Sequence, residues 1–147
     1  MFKQIIVCLD GSKPSNTALG IACDLAKHYD SELTLMHVSH SESVIAVGAV
    51  AGYGAVANVE SPDEIEKAAR EVLEAGVAIA AKTGCGYVKT EMPKGDAAKN
   101  ILAHADKIGA DLIVMGRRGL GSVASLLLGS TSQMISHDAT CAVLTVA

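Results

Sequence analysis

The chain of 147 residues carries 12 Lys and Arg against 16 Asp and Glu, a formal net charge of -4. It therefore lacks the basic face that general nucleic-acid binding requires, and no nucleic-acid partner is expected. Half of the residues are hydrophobic but only 3 % are aromatic, with no Trp and a single Phe, so the core must be built from Ala, Val, Leu and Ile, which favours close packing of helices on a sheet.

The length suits one domain, 1–147. The start, MFKQIIVCLDGS, enters a strand at once, without the features of a leader, and no apolar stretch reaches membrane-spanning length. A cytoplasmic protein with no membrane partner is expected. Cys8, Cys23, Cys85 and Cys141 form no CxxC pair and no metal spacing, and are read as reduced thiols acting as small hydrophobes.

In chain order, Lys3 to Leu9 is a short run rich in branched apolar residues, ended by the turn Asp10-Gly11-Ser12, and reads as strand one. Ser12 as N-cap and Pro14 in the first turn open a helix to about Tyr29, with Ala18, Ile21, Ala22, Leu25 and Ala26 at helical spacing. Glu32 to Val38 is strand two, closing a right-handed βαβ unit. Ser39 to Glu60 has neither cap nor period and reads as an apolar loop.

Ser61-Pro62-Asp63-Glu64 is a capping box with proline at the first helical position, opening a helix that ends near Lys82. Gly86 to Met92 is a weaker third strand; Asp96 caps a helix carrying Ala98, Ile101, Leu102, Ala105 and Ile108, stopped by Gly109. Asp111 to Met115 is strand four, Thr131 to His137 a short helix, and Cys141 to Val146 strand five. Alternating strands and helices mean a single doubly wound, Rossmann-like α/β sheet with helices on both faces, whose ligand site lies outside the strand carboxyl ends at the switch point. Strands one and four are the pair expected there.

The chemistry concentrates after strand four, in DLIVMGRRGLGSVASLLLGS. Gly116, Gly119, Gly121 and Gly129 mark places where backbone can approach a ligand or take positive φ, and Ser130, Thr131 and Ser132 add hydroxyls at a helix start. Backbone N–H groups arranged in this way suit a phosphate. The spacing is neither GxxxxGK[ST] nor GxGxxG. It is Gly116, two residues, Gly119, nine residues, then Gly129-Ser130.

This spacing resembles the nucleotide-binding signature of the universal stress protein family in its ATP-binding branch, and the likeness extends from Lys3 to Val146. The resemblance implies five strands in the order 3-2-1-4-5. It also implies that Leu9 and Asp10 lie beside a nucleotide whose adenine edge pairs with the backbone of Val38. Gly116, Gly119, Gly129 and Ser130 would hold ribose and phosphates, with Met115, Arg118, Thr131 and Ser132 close by. The implied ligand is ATP, with ADP or AMP as alternatives, and Mg²⁺ or Mn²⁺ bridging the phosphates.

No Ser/His/Asp order, carboxylate pair or metal cluster supports catalysis, and His28, His37, His40, His104 and His137 read as helix, strand-end and loop residues. At most slow ATP hydrolysis is expected. The leading reading is an ATP-binding stress-response regulator acting on an unidentified protein partner; the alternative is an interaction module that holds no nucleotide. Strand five, Cys141 to Val146, contains no Lys, Pro or Gly and stands at the sheet edge in the implied order, so a homodimer through that strand is expected.

Overall fold

The computed structural model describes residues 1–39, 61–119 and 128–147; the expected loop from Ser39 to Glu60, apart from Ser39, and Gly121 lie outside them. The elements are β1 (Gln4–Cys8), α1 (Lys13–Tyr29), β2 (Glu32–Met36), α2 (Pro62–Lys82), β3 (Val88–Glu91), α3 (Ala97–Ile108), β4 (Leu112–Gly116), α4 (Ser130–Asp138) and β5 (Ala142–Val146). The five strands form one parallel sheet in the order β3-β2-β1-β4-β5. That is the expected doubly wound α/β fold.

Strand periodicity divides the core into two. Ile5, Val7, Leu33, Leu35, Leu112 and Val114 turn to one face and meet Ala18, Leu19, Ala22 and Cys23 of α1 and Leu73 and Ala80 of α2. Ile6, Met36, Ile113 and Met115 turn to the other and meet Ala98, Ile101 and Ala105 of α3 and Ile135 of α4. The central strands are apolar on both faces because helices cover both. Each fully buried Leu or Ile among them contributes about 1.5–3 kcal/mol relative to exposure.

Three helix starts hold the side-chain caps the sequence announces. Ser12 Oγ accepts from Ser15 N–H, Ser61 and Glu64 form the reciprocal capping box, and Asp96 accepts from Lys99 N–H. The cap ending α1, Asp30 at φ 53°, went unanticipated, since a non-glycine residue in the left-handed region is uncommon.

The strand ends differ from the apolar runs in ways that matter at the site. β1 stops at Cys8 and β2 at Met36, short of Leu9 and Val38, because the two strands begin to part there. β4 begins one residue later than expected; at Asp111 the carboxylate accepts from Lys3 N–H at 2.7 Å and Gln4 N–H at 2.9 Å, while its own N–H donates to Gln4 C=O at 2.9 Å. At its far end β4 runs on into Gly116, which pairs with Val146. Strand three is trimmed to Val88–Glu91 and strand five to Ala142–Val146, while α4 begins one residue early, at Ser130. Among the described residues no helix is long and apolar enough to cross a membrane.

Candidate functional site

The carboxyl ends of β1 and β4 bring together Asp10 and the glycine segment after β4, as the switch-point rule requires. Asp10 is half-buried, and its Oδ1 accepts from the Ser12 N–H at 2.9 Å, in the turn that opens α1. A Cβ placed on Gly119 would lie 2.7 Å from Asp10 Oδ2, so glycine lets the loop pass the carboxylate without displacing it. A Cβ on Gly116 would stand 3.1 Å from both Pro14 Cβ and Ser15 N, against the first turn of α1. Both glycines serve close approach; neither has positive φ, the other use anticipated for them.

Gly129 behaves differently. It is the N-cap of α4 at φ -70°, ψ 157°, a conformation open to any residue, and a Cβ there would come no nearer than 3.7 Å to the described residues around it. Its own N–H donates to the Arg117 carbonyl at 3.0 Å and is committed to the loop. The donors at this helix start are then the N–H groups of Ser130, Thr131 and Ser132, which precede the first intrahelical bond, Gln133 N–H to Gly129 C=O at 2.9 Å. No side chain among the described residues caps α4. The Ser132 hydroxyl donates to the Gly116 carbonyl at 3.0 Å and fastens α4 to the end of β4. Arg117 and Arg118, both half-buried, each keep a buried Nε with no partner among the described residues.

At the β1/β2 end, Leu9 and Val38 are buried. Leu9 N–H donates to Met36 C=O at 2.8 Å, and the Leu9 carbonyl lies 2.7 Å from His37 Nδ1. His37 and Ser39 turn their N–H groups to the β3 side, donating to Glu91 and Pro93 at 3.1 Å each. Val38, between them, therefore directs its N–H and C=O to the β1 side. There they bond to no described residue, which is unusual for a buried backbone. The side chains of Val38 and Met115 are in the core packed by α3 and α4. Leu9 is in the opposite one.

Cys8 is half-buried just before Leu9; burial first, then the Asp10 carboxylate, pushes its pKa up to about 12. Such a thiol stays protonated and unreactive. Among the described residues no group of three or more His, Cys, Asp or Glu could hold a metal ion. Sequence reasoning placed His37 at the end of strand two but gave it no part in the site. Its one signal was its place directly before Val38.

Comparison with known proteins bears on this geometry. The profile of the universal stress protein family matches residues 1–147. The chain belongs to the universal stress protein family. It is 36% identical over 149 residues to the universal stress protein YxiE of Bacillus subtilis, covering 99% of each. Among solved structures it resembles a universal stress protein in complex with cAMP, with TM-score 0.74, 24% identity and coverage of 99% and 97%. It also resembles the Archaeoglobus fulgidus universal stress protein in complex with dAMP, with TM-score 0.66, 18% identity and coverage of 100% and 98%. At these identities the two structural likenesses speak to the fold.

Proposed function

We propose that this universal stress protein belongs to the ATP-binding branch of the family and acts as a regulatory protein, its nucleotide state setting the surface it offers to partners. Leu9 and Asp10 flank the nucleotide, and Val38 offers a donor and an acceptor to the adenine edge. Gly116, Gly119, Gly129 and Ser130 form the ribose and phosphate cradle, with Met115, Arg118, Thr131 and Ser132 around it.

The observation that carries the reading is the set of backbone groups without a partner among the described residues at this end of the sheet. Val38 keeps a paired N–H and C=O on the β1 side, and α4 opens with three N–H groups and no side-chain cap. A donor and an acceptor on one residue suit the adenine edge, with its ring nitrogen and amino group. Three helix-start N–H groups suit a phosphate. The orphaned Nε atoms of Arg117 and Arg118 fit an anion as well. Mg²⁺ or Mn²⁺ would be held chiefly by phosphate oxygens and water, since few protein ligands are needed. ADP or AMP would use the same backbone groups, and any ATP hydrolysis would be slow. The complexes with cAMP and dAMP formed by its structural neighbours support an adenine nucleotide here as well.

The reading includes a homodimer through β5, the strand at the sheet edge. The backbone of Arg117 links that edge to the site: its N–H donates to Val146 C=O at 2.6 Å, and its C=O accepts from Gly129 N–H at 3.0 Å. One observation favours the alternative, an interaction module with a purely structural loop. Gly116 and Gly119 are explained by packing alone. Gly129 is not, and it tips the balance toward a ligand. Mass spectrometry of copurifying nucleotide, followed by calorimetry with ATP, ADP and AMP, tests the reading. A protein that carries none of them and binds none at about 1 mM overturns it.

A further inference from the structure

Resting on the adenine-edge reading of Val38, we propose that His37 is a positioning residue that keeps the Val38 backbone available to the base. In a parallel pair the same rung repeats every second residue. Glu32 N–H donates to Lys3 C=O at 2.8 Å, and the β1/β2 register carries this relation through Thr34 with Ile5 and Met36 with Val7. The next rung in sequence is Val38 N–H to Leu9 C=O. Leu9 contributes its half of that bridge, donating to Met36 C=O at 2.8 Å, but the bond from Val38 is not made.

The Leu9 carbonyl is met instead by His37 Nδ1 at 2.7 Å. A carbonyl oxygen only accepts, so Nδ1 carries the proton in this contact. The imidazole thus satisfies a buried carbonyl that would otherwise draw in Val38 N–H and zip the strands one rung further. On the opposite side β2 continues normally, with His37 and Ser39 donating to Glu91 and Pro93. The interruption is confined to the β1 side, where Asp10 begins the turn. His37 touches no ligand in this scheme. It acts through Leu9, by substituting one hydrogen-bond donor for another.

The test compares wild type with His37→Phe, which keeps a ring and loses the donor, and His37→Asn, whose amide places a donor near the Nδ1 position. The first readout needs no nucleotide: the through-hydrogen-bond NMR coupling between the Val38 amide nitrogen and the Leu9 carbonyl carbon. It is expected in His37→Phe and absent from wild type and His37→Asn. The second is calorimetry with ATP and with inorganic tripolyphosphate, which lacks a base. His37→Phe should lose about tenfold in ATP affinity, the scale of one hydrogen bond, and hold its tripolyphosphate affinity, with His37→Asn restoring ATP binding. The coupling already present in wild type, or absent from His37→Phe, overturns the proposal. So does a His37→Asn protein that behaves as His37→Phe does. Failure of wild type to bind ATP sinks the nucleotide reading instead and leaves the coupling measurement to decide the role of His37.

Discussion

Replacing Gly129 by serine should raise stability and lower nucleotide affinity together, a combination that simple damage to the fold cannot produce. Gly129 caps α4 in an extended conformation, and a Cβ there meets Arg117 O and Arg118 Cα only at 3.7 Å, so the substitution fits without backbone strain. A serine in this position accepts a bond from the N–H two or three residues on, satisfying one of the N–H groups of Thr131 or Ser132. The gain over glycine is a few tenths of a kcal/mol, raising Tm by about 1 °C for a chain of this size. The same bond removes a donor from the proposed phosphate site. One hydrogen bond to a charged group is worth about 1.5–3 kcal/mol, so ATP affinity should fall by about tenfold or more. Calorimetric titration with ATP and a thermal scan of Gly129→Ser read both effects. Wild-type affinity in a protein of raised Tm would refute the assignment of the α4 N–H groups to phosphate, and a lowered Tm would refute the cap geometry.

Other expectations follow from hydrogen bonds and shifted pKa values. With a pKa near 12, Cys8 carries about one thiolate in ten thousand at pH 8, so iodoacetamide should modify it slowly in the folded protein and quickly after unfolding; rapid native labelling would contradict the raised pKa. The Asp111 carboxyl is held below its ordinary value by the Gln4 and Lys3 N–H groups, so its contribution is present above the unfolded pKa and is lost as pH falls through the folded one. Asp111→Asn should therefore flatten the acid limb of stability in urea melts between about pH 5 and pH 2, and an unchanged limb would dismiss it as a stabilising group. In β5, Ala142 N–H and Val146 C=O face β4, so Val143 and Thr145 present their N–H groups outward. Thr145→Pro removes an outward donor and spares the β4 ladder, and it should turn a dimer into a monomer in light scattering; a wild type already monomeric at micromolar concentration would reject the β5 dimer.

Much of the fold was legible because its signals are local. Branched apolar runs gave the strands, and Ser12, the Ser61-Pro62-Asp63-Glu64 box and Asp96 gave three helix starts to the residue. Strand order was readable only through the family resemblance, since pairing is set by contacts distant in sequence. The ends of β1 and β2 escaped for the same reason. Leu9 and Val38 look like strand residues, and only the His37 contact with the Leu9 carbonyl shows that the ladder stops before them. The glycine loop was visible as spacing, yet its three described glycines proved to have separate reasons. Gly116 clears α1, Gly119 clears Asp10, and Gly129 has no packing requirement among the described residues. Spacing cannot separate these, because each depends on an element brought in from elsewhere in the chain.

The separation matters for regulation. The proposed nucleotide site at the start of α4 and the proposed pairing at the β5 edge meet at the backbone of one residue, Arg117, whose N–H donates to Val146 and whose C=O accepts from Gly129. A ligand that shifts the α4 start by a fraction of an ångström must lengthen the Gly129 to Arg117 bond, turn the backbone at Arg117, or carry that residue with it. The last course moves the last inward-facing carbonyl of the edge strand. By linkage, any factor by which nucleotide tightens the dimer is the factor by which dimerisation tightens nucleotide, so the proposed dimer and the proposed site stand as two ends of one equilibrium. The element between them is short, held by a hydrogen bond at each end, and follows directly from the extension of β4 into Gly116, the residue at which the apolar run stops and the loop begins.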